Sequence, residues 1–567
     1  MPAPRHMTAV VAAMLPAMAL AQPVLPQPGL IERVAPTTAP PRLQPPLAPP
    51  EPARLTGPGE TRRVPVARVV IEGNTALRDA ALRPLVTPLE GREATLAEIE
   101  SARLAVLRAH RAAGLPYVAV TARLAAMPDG LELRLAVTEG SVAELVLKGD
   151  VEGRTAELVR GLLAPVLGVA PLPAATLERA LLLLSDVPGL RVQAVLRPAA
   201  TPGALQLVVR LSRRPVSGFA SLDNRGHVLT GAWQGLVVAQ ANLATRFGER
   251  TELALLGTDG AGQGFVQLAQ EALLGTSGLR LRAHAGAGRA QPGGALAAIG
   301  YAGETRVAGL ALIHPLVRSR ALDVSLVAQV EAFESEVRAR GGPGEGRVRQ
   351  SHDAVRALRV GLDGAVQDGW GGLGPAATTF QLRLHRGIEA LGASEGGRGG
   401  TARAGSDFGF TRVTAEATRL QPLFAPMDGW LVSLQGGLTG GWSSDVLPPA
   451  EKFHLGGNRV GRGFHAGQVA GDRAFGFSAE IQAGTVVTPL ELGVQFYLFR
   501  DGGSARDNGL DGAGQRVASW GGGVRLQFGS GTQLDLEATR RLTRNPDGAG
   551  TRPLPEDVIL GRLLLRF

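Results

Sequence analysis

From Pro215 to Phe567, roughly 350 residues pass without a helical period. Short alternating segments recur instead, between glycine-rich or polar breaks: "RTELALLGT", "LRLRAHAGA", "LDVSLVAQVEAFESEV", "FQLRLHRG", "LGVQFYLF" and "TQLDLEATRRL". Side chains of a strand point alternately to its two faces, so each segment has one apolar face and one of Arg, Glu, Gln or Asp. A soluble sandwich also alternates. The length of the helix-free stretch and its charged wet face favour a sheet closed into a barrel in an outer membrane. Such strands need about 9–11 residues, with short turns at one end and longer loops at the other. Periodicity by itself leaves the strand count open between about fourteen and about eighteen. The last segment, "VILGRLLLRF", puts Ile559, Gly561, Leu563, Leu565 and Phe567 on one face and Arg562 and Arg566 on the other. A last strand of this kind can meet the first and leave no edge unpaired in lipid.

Composition narrows the chemistry. There is no cysteine, and the nine histidines show no zinc-ligand spacing. The sequence holds no triad-type serine motif or phosphate loop, and "GAGQGF" (260–265) is too weak to count as one. An enzyme, a metal and a cofactor are therefore not expected. The net charge of +9 comes from arginine, Lys148 and Lys452 being the only lysines. Those arginines alternate along strands rather than clustering on a helix, so nucleic acid is not an expected partner. Near the start, Arg5 and His6 precede an apolar run, Met7 to Ala21, that ends in "AMALAQ". Ala19 and Ala21 fit signal-peptidase cleavage, which predicts an export leader at 1–21. This run is too short to span, and no later one reaches the roughly 20 residues a spanning helix requires.

Residues 22–62 are rich in proline and read as an extended tether in which only "GLIERV" could turn helical. Two units of one plan follow, at 63–140 and 141–215, each predicted as β-α-α-β-β. In the first, "VARVVIEGNTAL" reads as a strand. "TLAEIESARLAVLRAHRAAG" reads as a helix, with Thr95 and Glu98 as a capping box and Gly114 as the stop. The Leu181–Leu184 run of the second unit reads as core. The barrel would then take 216–567, with an unusual loop at about 445–475.

That loop, "EKFHLGGNRVGRGFHAGQVAGDRAFGF" (451–477), sets Arg459, Arg462 and Arg473 among seven glycines. It has too many glycines for a helix and too many aromatics and arginines for a loose linker. Two β-α-α-β-β units ahead of a barrel resemble the POTRA domains of the outer-membrane translocation and barrel-assembly superfamily. Within it the chain resembles the two-partner secretion transporters, the haemolysin secretion and activation proteins. The resemblance is carried by "LERALLLLSDVPGLRVQAVLRPAATPGALQLVV" (177–209), by "ASLDNRG" (220–226) and by the loop. It implies sixteen strands, and a loop folded back into the barrel with a V-R-G-F or V-R-G-Y tetrad. Here the tetrad is Gly461, Arg462, Gly463 and Phe464, glycine standing where valine is usual. The resemblance also implies an acidic partner for the arginine in a D-x-G phrase, which "LGVQFYLFRDGG" supplies as Asp501 and Gly503. Parity agrees, since Phe496 and Leu498 facing lipid would turn Gln495 and Asp501 to the lumen.

The resemblance thus implies a mainly β, outer-membrane translocator with POTRA domains in the periplasm. It would take an unfolded, haemolysin- or adhesin-like exoprotein by that client's N-terminal secretion domain and pass it through the barrel. Outer-membrane lipid would surround it, and the terminal Phe567 resembles the signal read by the barrel-assembly machinery. Gating would fall to Arg462 and Asp501, supported by Gly461, Gly463, Phe464 and Gly503. Family members commonly carry a helical plug ahead of the tether; Pro26, Pro28 and Pro36 leave room for only a stub. The rival readings are an insertase of the same superfamily, which usually has three or more POTRA units, and a passive porin, which needs neither POTRA pair nor loop.

Overall fold

The computed structural model describes Ile31, Val34, Ala35 and residues 61–567, apart from 129, 151–152, 244, 246, 342–344, 397–398, 510–513 and 547–552. The expected leader and most of the expected tether lie outside the described residues. None of the described helices is long and apolar enough to cross a membrane.

The first unit runs β1 (Arg63–Glu72), α1 (Asp79–Val86), β2 (Arg92–Thr95), α2 (Leu96–Ala112), β3 (Val118–Met127) and β4 (Gly130–Glu139). Its sheet has the order β2-β1-β4-β3, with β1 parallel to β4. The short β2 is an addition to the β-α-α-β-β plan. Helix α2 starts where the capping box places it: the Glu98 amide donates to Thr95 Oγ1 (3.2 Å) and the Thr95 amide donates to Glu98 Oε2 (2.6 Å). One side of the sheet and both helices bury Val66, Val69, Leu82, Val106, Leu133 and Leu135. The second unit runs β5 (Ser141–Gly149), α3 (Arg154–Leu163), α4 (Ala174–Ser185), β6 (Leu190–Pro198) and β7 (Ala204–Arg213), in the order β5-β7-β6. Leu181, Leu183 and Leu184 are in its core. Backbone hydrogen bonds tie the units together, from Leu172 to Gly140 (2.8 Å) and from Ala174 to Gly114 (3.0 Å).

Sixteen antiparallel strands, from β8 (Val216–Asp223) to β25 (Asp557–Arg566), close into a barrel in chain order. The one interruption is between β18 (Trp430–Ser443) and β21 (Arg473–Val487), where the connection makes a hairpin of its own, β19 (Phe453–Leu455) with β20 (Val469–Gly471). Closure runs from Arg562↔Asp223 to Arg566↔Phe219. Asn224 extends that seam with its side chain, donating to Ile559 O (3.0 Å) and accepting from the Gly561 amide (2.8 Å). At the other end Phe567 and Gly218 exchange two backbone hydrogen bonds (3.0 and 3.1 Å). A Cβ on Gly218 would lie 2.8 Å from the Phe567 ring, so glycine lets the aromatic lie against the strand.

Leu255, Leu268, Leu310, Leu438, Phe496 and Leu498 point out and are exposed. The arginines of the wet face point in and pair across strands: Arg282 with Glu252 (3.4 Å), Arg359 with Glu331 (2.6 Å) and Arg562 with Asp535 (2.6 Å). Cross-strand pairs of opposite charge reinforce the register while keeping the lumen polar.

The second unit sits on the turns at one end of the barrel. Arg318 holds Asp186 with two hydrogen bonds (2.7 and 2.6 Å), and the Arg320 amide donates to Glu178 (2.8 Å). Leu243 and Leu273, from two other turns, enter the second unit's core. Inside the barrel, Ile31 and Val34 are helical and buried among inward-facing residues including Leu236, Val238, Phe333 and Val355. Ile31 and Val34 of "GLIERV" therefore lie in the lumen.

Candidate functional site

The β18–β21 connection folds back into the barrel. Its hairpin and tip bury Phe453, Leu455, Val460, Phe464 and Val469 against Ala505 and Val517 of the wall. The wall here is β21, β22 (Leu492–Arg506), β23 (Gly514–Phe528) and β24 (Thr532–Arg541). Glycine is required at two places for different reasons. Gly461 has φ +75°, and a Cβ there would come 3.1 Å from Val517 Cγ2, which accounts for glycine at the first tetrad position. Gly503 lies on β22, where a Cβ would sit 2.7 Å from Phe475 O and 2.8 Å from Leu455 Cδ1.

Arg462 and Asp501 do meet, but through the backbone. The Arg462 amide donates to Asp501 Oδ2 (2.9 Å), whose other oxygen accepts from Ser519 Oγ (2.5 Å). The guanidinium instead reaches Glu480 of β21 (2.5 Å), with Glu537 of β24 at 3.7 Å. It lies over the Phe499 ring at 4.4 Å, a favourable seat for a cation. The expectation of a side-chain pair with Asp501 is thus corrected: the glycine turn points the amide, not the guanidinium, at that carboxylate.

Glu480 is shared. Arg525 of β23 donates to both its oxygens (2.6 and 2.9 Å) while stacking 3.8 Å from the Tyr497 ring centroid. Glu537 accepts from Tyr497 (2.9 Å) and from Arg225, just after β8 (2.9 Å). Arg225 also donates to Arg462 O (3.0 Å). Gly463 O accepts from Arg541 Nε (2.5 Å), and Arg541 in turn lies 5.6 Å from the Phe464 ring centroid. All four tetrad residues are therefore in contact with the wall or the loop's apolar cluster. Of the other two loop arginines, Arg459 pairs with Glu416 (2.6 Å) at an exposed position, and Arg473 turns outward onto Trp442.

Sequence reasoning missed Glu480, Ser519, Arg525, Glu537 and Arg225. Inward parity marks all the strand residues among them as lumenal, but it marks dozens of others equally. It also missed a second anchor at the base of the loop. Glu451 is buried and accepts from Arg359 (2.6 Å) and Arg412 (3.2 Å), which belong to β15 (Arg347–Asp368) and β17 (Thr411–Phe424), on the side of β18 away from β21. Over the far mouth, Asp472 accepts from Arg403 of a neighbouring loop with both oxygens (2.7 and 2.9 Å). The loop is thus held at its base, tip and exit by three separate charge clusters. Among the described residues no cluster of His, Cys, Asp and Glu could hold a metal ion.

Taken together, the fold and the in-folded loop define an outer-membrane barrel with POTRA domains on its periplasmic side. The haemolysin secretion/activation protein family ShlB/FhaC/HecB matches residues 274–526, and the ShlB-type POTRA domain matches 64–140. The chain belongs to that family, the two-partner secretion translocators, which are transporters rather than enzymes and serve a secreted exoprotein. The fold is similar to that of CdiB from Escherichia coli (17% identity, TM-score 0.71, covering 100% of this chain and 99% of that one). It is also similar to CdiB from Acinetobacter baumannii (17%, 0.61, 92% and 95%). BamA from Haemophilus ducreyi lacking POTRA domains 1–3 is more distant (13%, 0.50, 88% and 100%). No curated protein matches the chain.

Proposed function

We propose that this translocator exports one large exoprotein of haemolysin or adhesin type, and that the in-folded loop is the gate of its channel. The client's N-terminal secretion domain would be caught while extended, by adding a strand to an open sheet edge. Strand β6 is such an edge, and Val195 on it is exposed. We further take 1–21 as the export leader, 22–62 as a tether whose Ile31 and Val34 help fill the lumen, and Phe567 as the handle for the barrel-assembly machinery. The units 63–140 and 141–215 would form the periplasmic pair, and 216–567 the channel.

One observation carries the gate: the loop tip is held to the lumenal wall by Arg462, whose side chain and amide go to different carboxylates. A loop fixed by buried charge has two states, docked and displaced, and moving it opens the space it fills. The porin reading gives this network no task. The test is Arg462→Ala in cells that make the native client. The barrel should assemble, as judged by heat-modifiable migration on gels, while client on the cell surface falls at least tenfold. Surface delivery at the native level would remove the gate assignment.

A further inference from the structure

A groove of about 640 Å³ lies on the outside of the barrel at the ends of β17, β18, β21, β22 and β23 away from the POTRA domains. Its sides are Val413, Trp442 and Phe475, and its rim carries Arg473, Arg506 and Arg516. All three arginines are exposed on the lipid-facing parity. Arg473 and Arg506 are directly opposed across β21 and β22, and Arg516 opposes Ser504, two residues from Arg506. Like charges opposed in a sheet repel. Among the described residues none of the three has a carboxylate partner; Arg473 donates to Ser443 O (3.2 Å) and lies 5.8 Å from the Trp442 ring centroid. Inside the lumen arginines such as Arg282, Arg359 and Arg562 pair with acids, whereas these three converge on one outward groove without one, an arrangement suited to an external anion.

We propose that the groove binds the phosphorylated headgroup of an anionic, acylated lipid of the outer leaflet, with an acyl chain against the apolar sides. Guanidinium groups offer planar, paired donors that fit phosphate. Aromatic side chains are favoured where headgroups meet hydrocarbon, and Trp442 and Phe475 stand at that level. Below them the outward face continues as Leu438 and Phe477, so an acyl chain leaving the groove stays on apolar surface. A free phosphate would gain nothing from those sides. A second outward groove, of about 430 Å³, serves as an internal contrast. There Glu304 opposes Arg289 in register and shares the outward face with Arg306, so that groove carries an acid of its own. This inference concerns the barrel's outer surface and holds or fails independently of the gate.

The experiment uses the full chain in detergent with diphosphorylated lipid A as the probe, read by native mass spectrometry and by retention on immobilised protein. The native chain should retain lipid A but not its dephosphorylated form, and retention should fall as salt is raised. Arg506→Gln with Arg516→Gln should weaken retention at least tenfold, while Arg289→Gln should leave it unchanged. Should the double variant not fold, Arg516→Gln alone and the salt series of the native chain carry the comparison. The proposal is overturned by equal retention of the dephosphorylated lipid, by full competition from millimolar inorganic phosphate, or by an equal loss in Arg289→Gln.

Discussion

Arg462 makes two demands on the wall, and they differ in strength. Its amide needs an acceptor at Asp501, which an asparagine oxygen could still supply in part. Its guanidinium shares Glu480 with Arg525, so neutralising Glu480 leaves two cations beside one amide, with the longer 3.7 Å contact to Glu537 as the acid remaining to Arg462. Removing one partner of a buried pair costs about 3–5 kcal/mol, and a hydrogen bond to a charged group is worth about 1.5–3 kcal/mol. A wet lumen lowers both figures and leaves their order intact. Glu480→Gln should therefore release the loop more than Asp501→Asn. Trypsin added to intact cells would read this as cleavage after Arg462, which is buried when docked; greater cleavage in Asp501→Asn would reverse the ranking. Gly503→Ala tests packing without charge. Its Cβ would press on a backbone oxygen that cannot yield, at a cost of about 1–3 kcal/mol for overpacking, so loop docking and thermal stability of the barrel should both fall. The legible part of this site was the tetrad and Asp501, because they carry a family phrase in sequence. Glu480, in "GFSAEIQ", carries no phrase, and its role depends on where the Gly461 turn aims the next side chain.

At the scale of elements, local chemistry sufficed where a helix or hairpin decides its own ends. The capping box fixed the start of α2, and Gly114 with φ +82° fixed its stop. The four-residue β2 was hidden because "REAT" has no alternation long enough to read. The cap also makes a pH prediction in the periplasmic part. Hydrogen bonds from Arg92 and from the Thr95 amide and hydroxyl hold the Glu98 carboxyl down to about 2, from an ordinary value near 4.5. A depressed folded-state pKa stabilises above the unfolded value, and that stabilisation is lost as pH falls from about 4.5 towards about 2. Glu98→Gln should flatten this acid limb for the first POTRA domain, measured by hydrogen exchange of α2 amides in the full chain. An unchanged limb would assign the acid response elsewhere. Thr95→Ala should cost about 1 kcal/mol at neutral pH by loss of the cap.

For the whole molecule, alternation specified a closed sheet with its wet and greasy sides, while the number sixteen came from family likeness. Strand count depends on tilt and register, which a two-residue period does not encode. Nor did composition show that the lumen is occupied from two directions, by the loop and by the stub at Ile31 and Val34, since both are long-range packing events. If the loop is the gate proposed above, export requires its displacement, and the absence of cysteine from the chain makes a covalent test clean. A Cβ built on Gly463 lies 3.3 Å from Ser519 Cβ, within a few tenths of an ångström of ordinary disulfide spacing, about 3.5–4.5 Å. Gly463→Cys with Ser519→Cys should therefore lock the tip to β23 under oxidation. Client export should stop in the oxidised double variant and return on reduction, with each single variant insensitive to redox. Undiminished export from fully cross-linked protein would mean that the client passes with the loop in place, and the channel would then have to open between other elements.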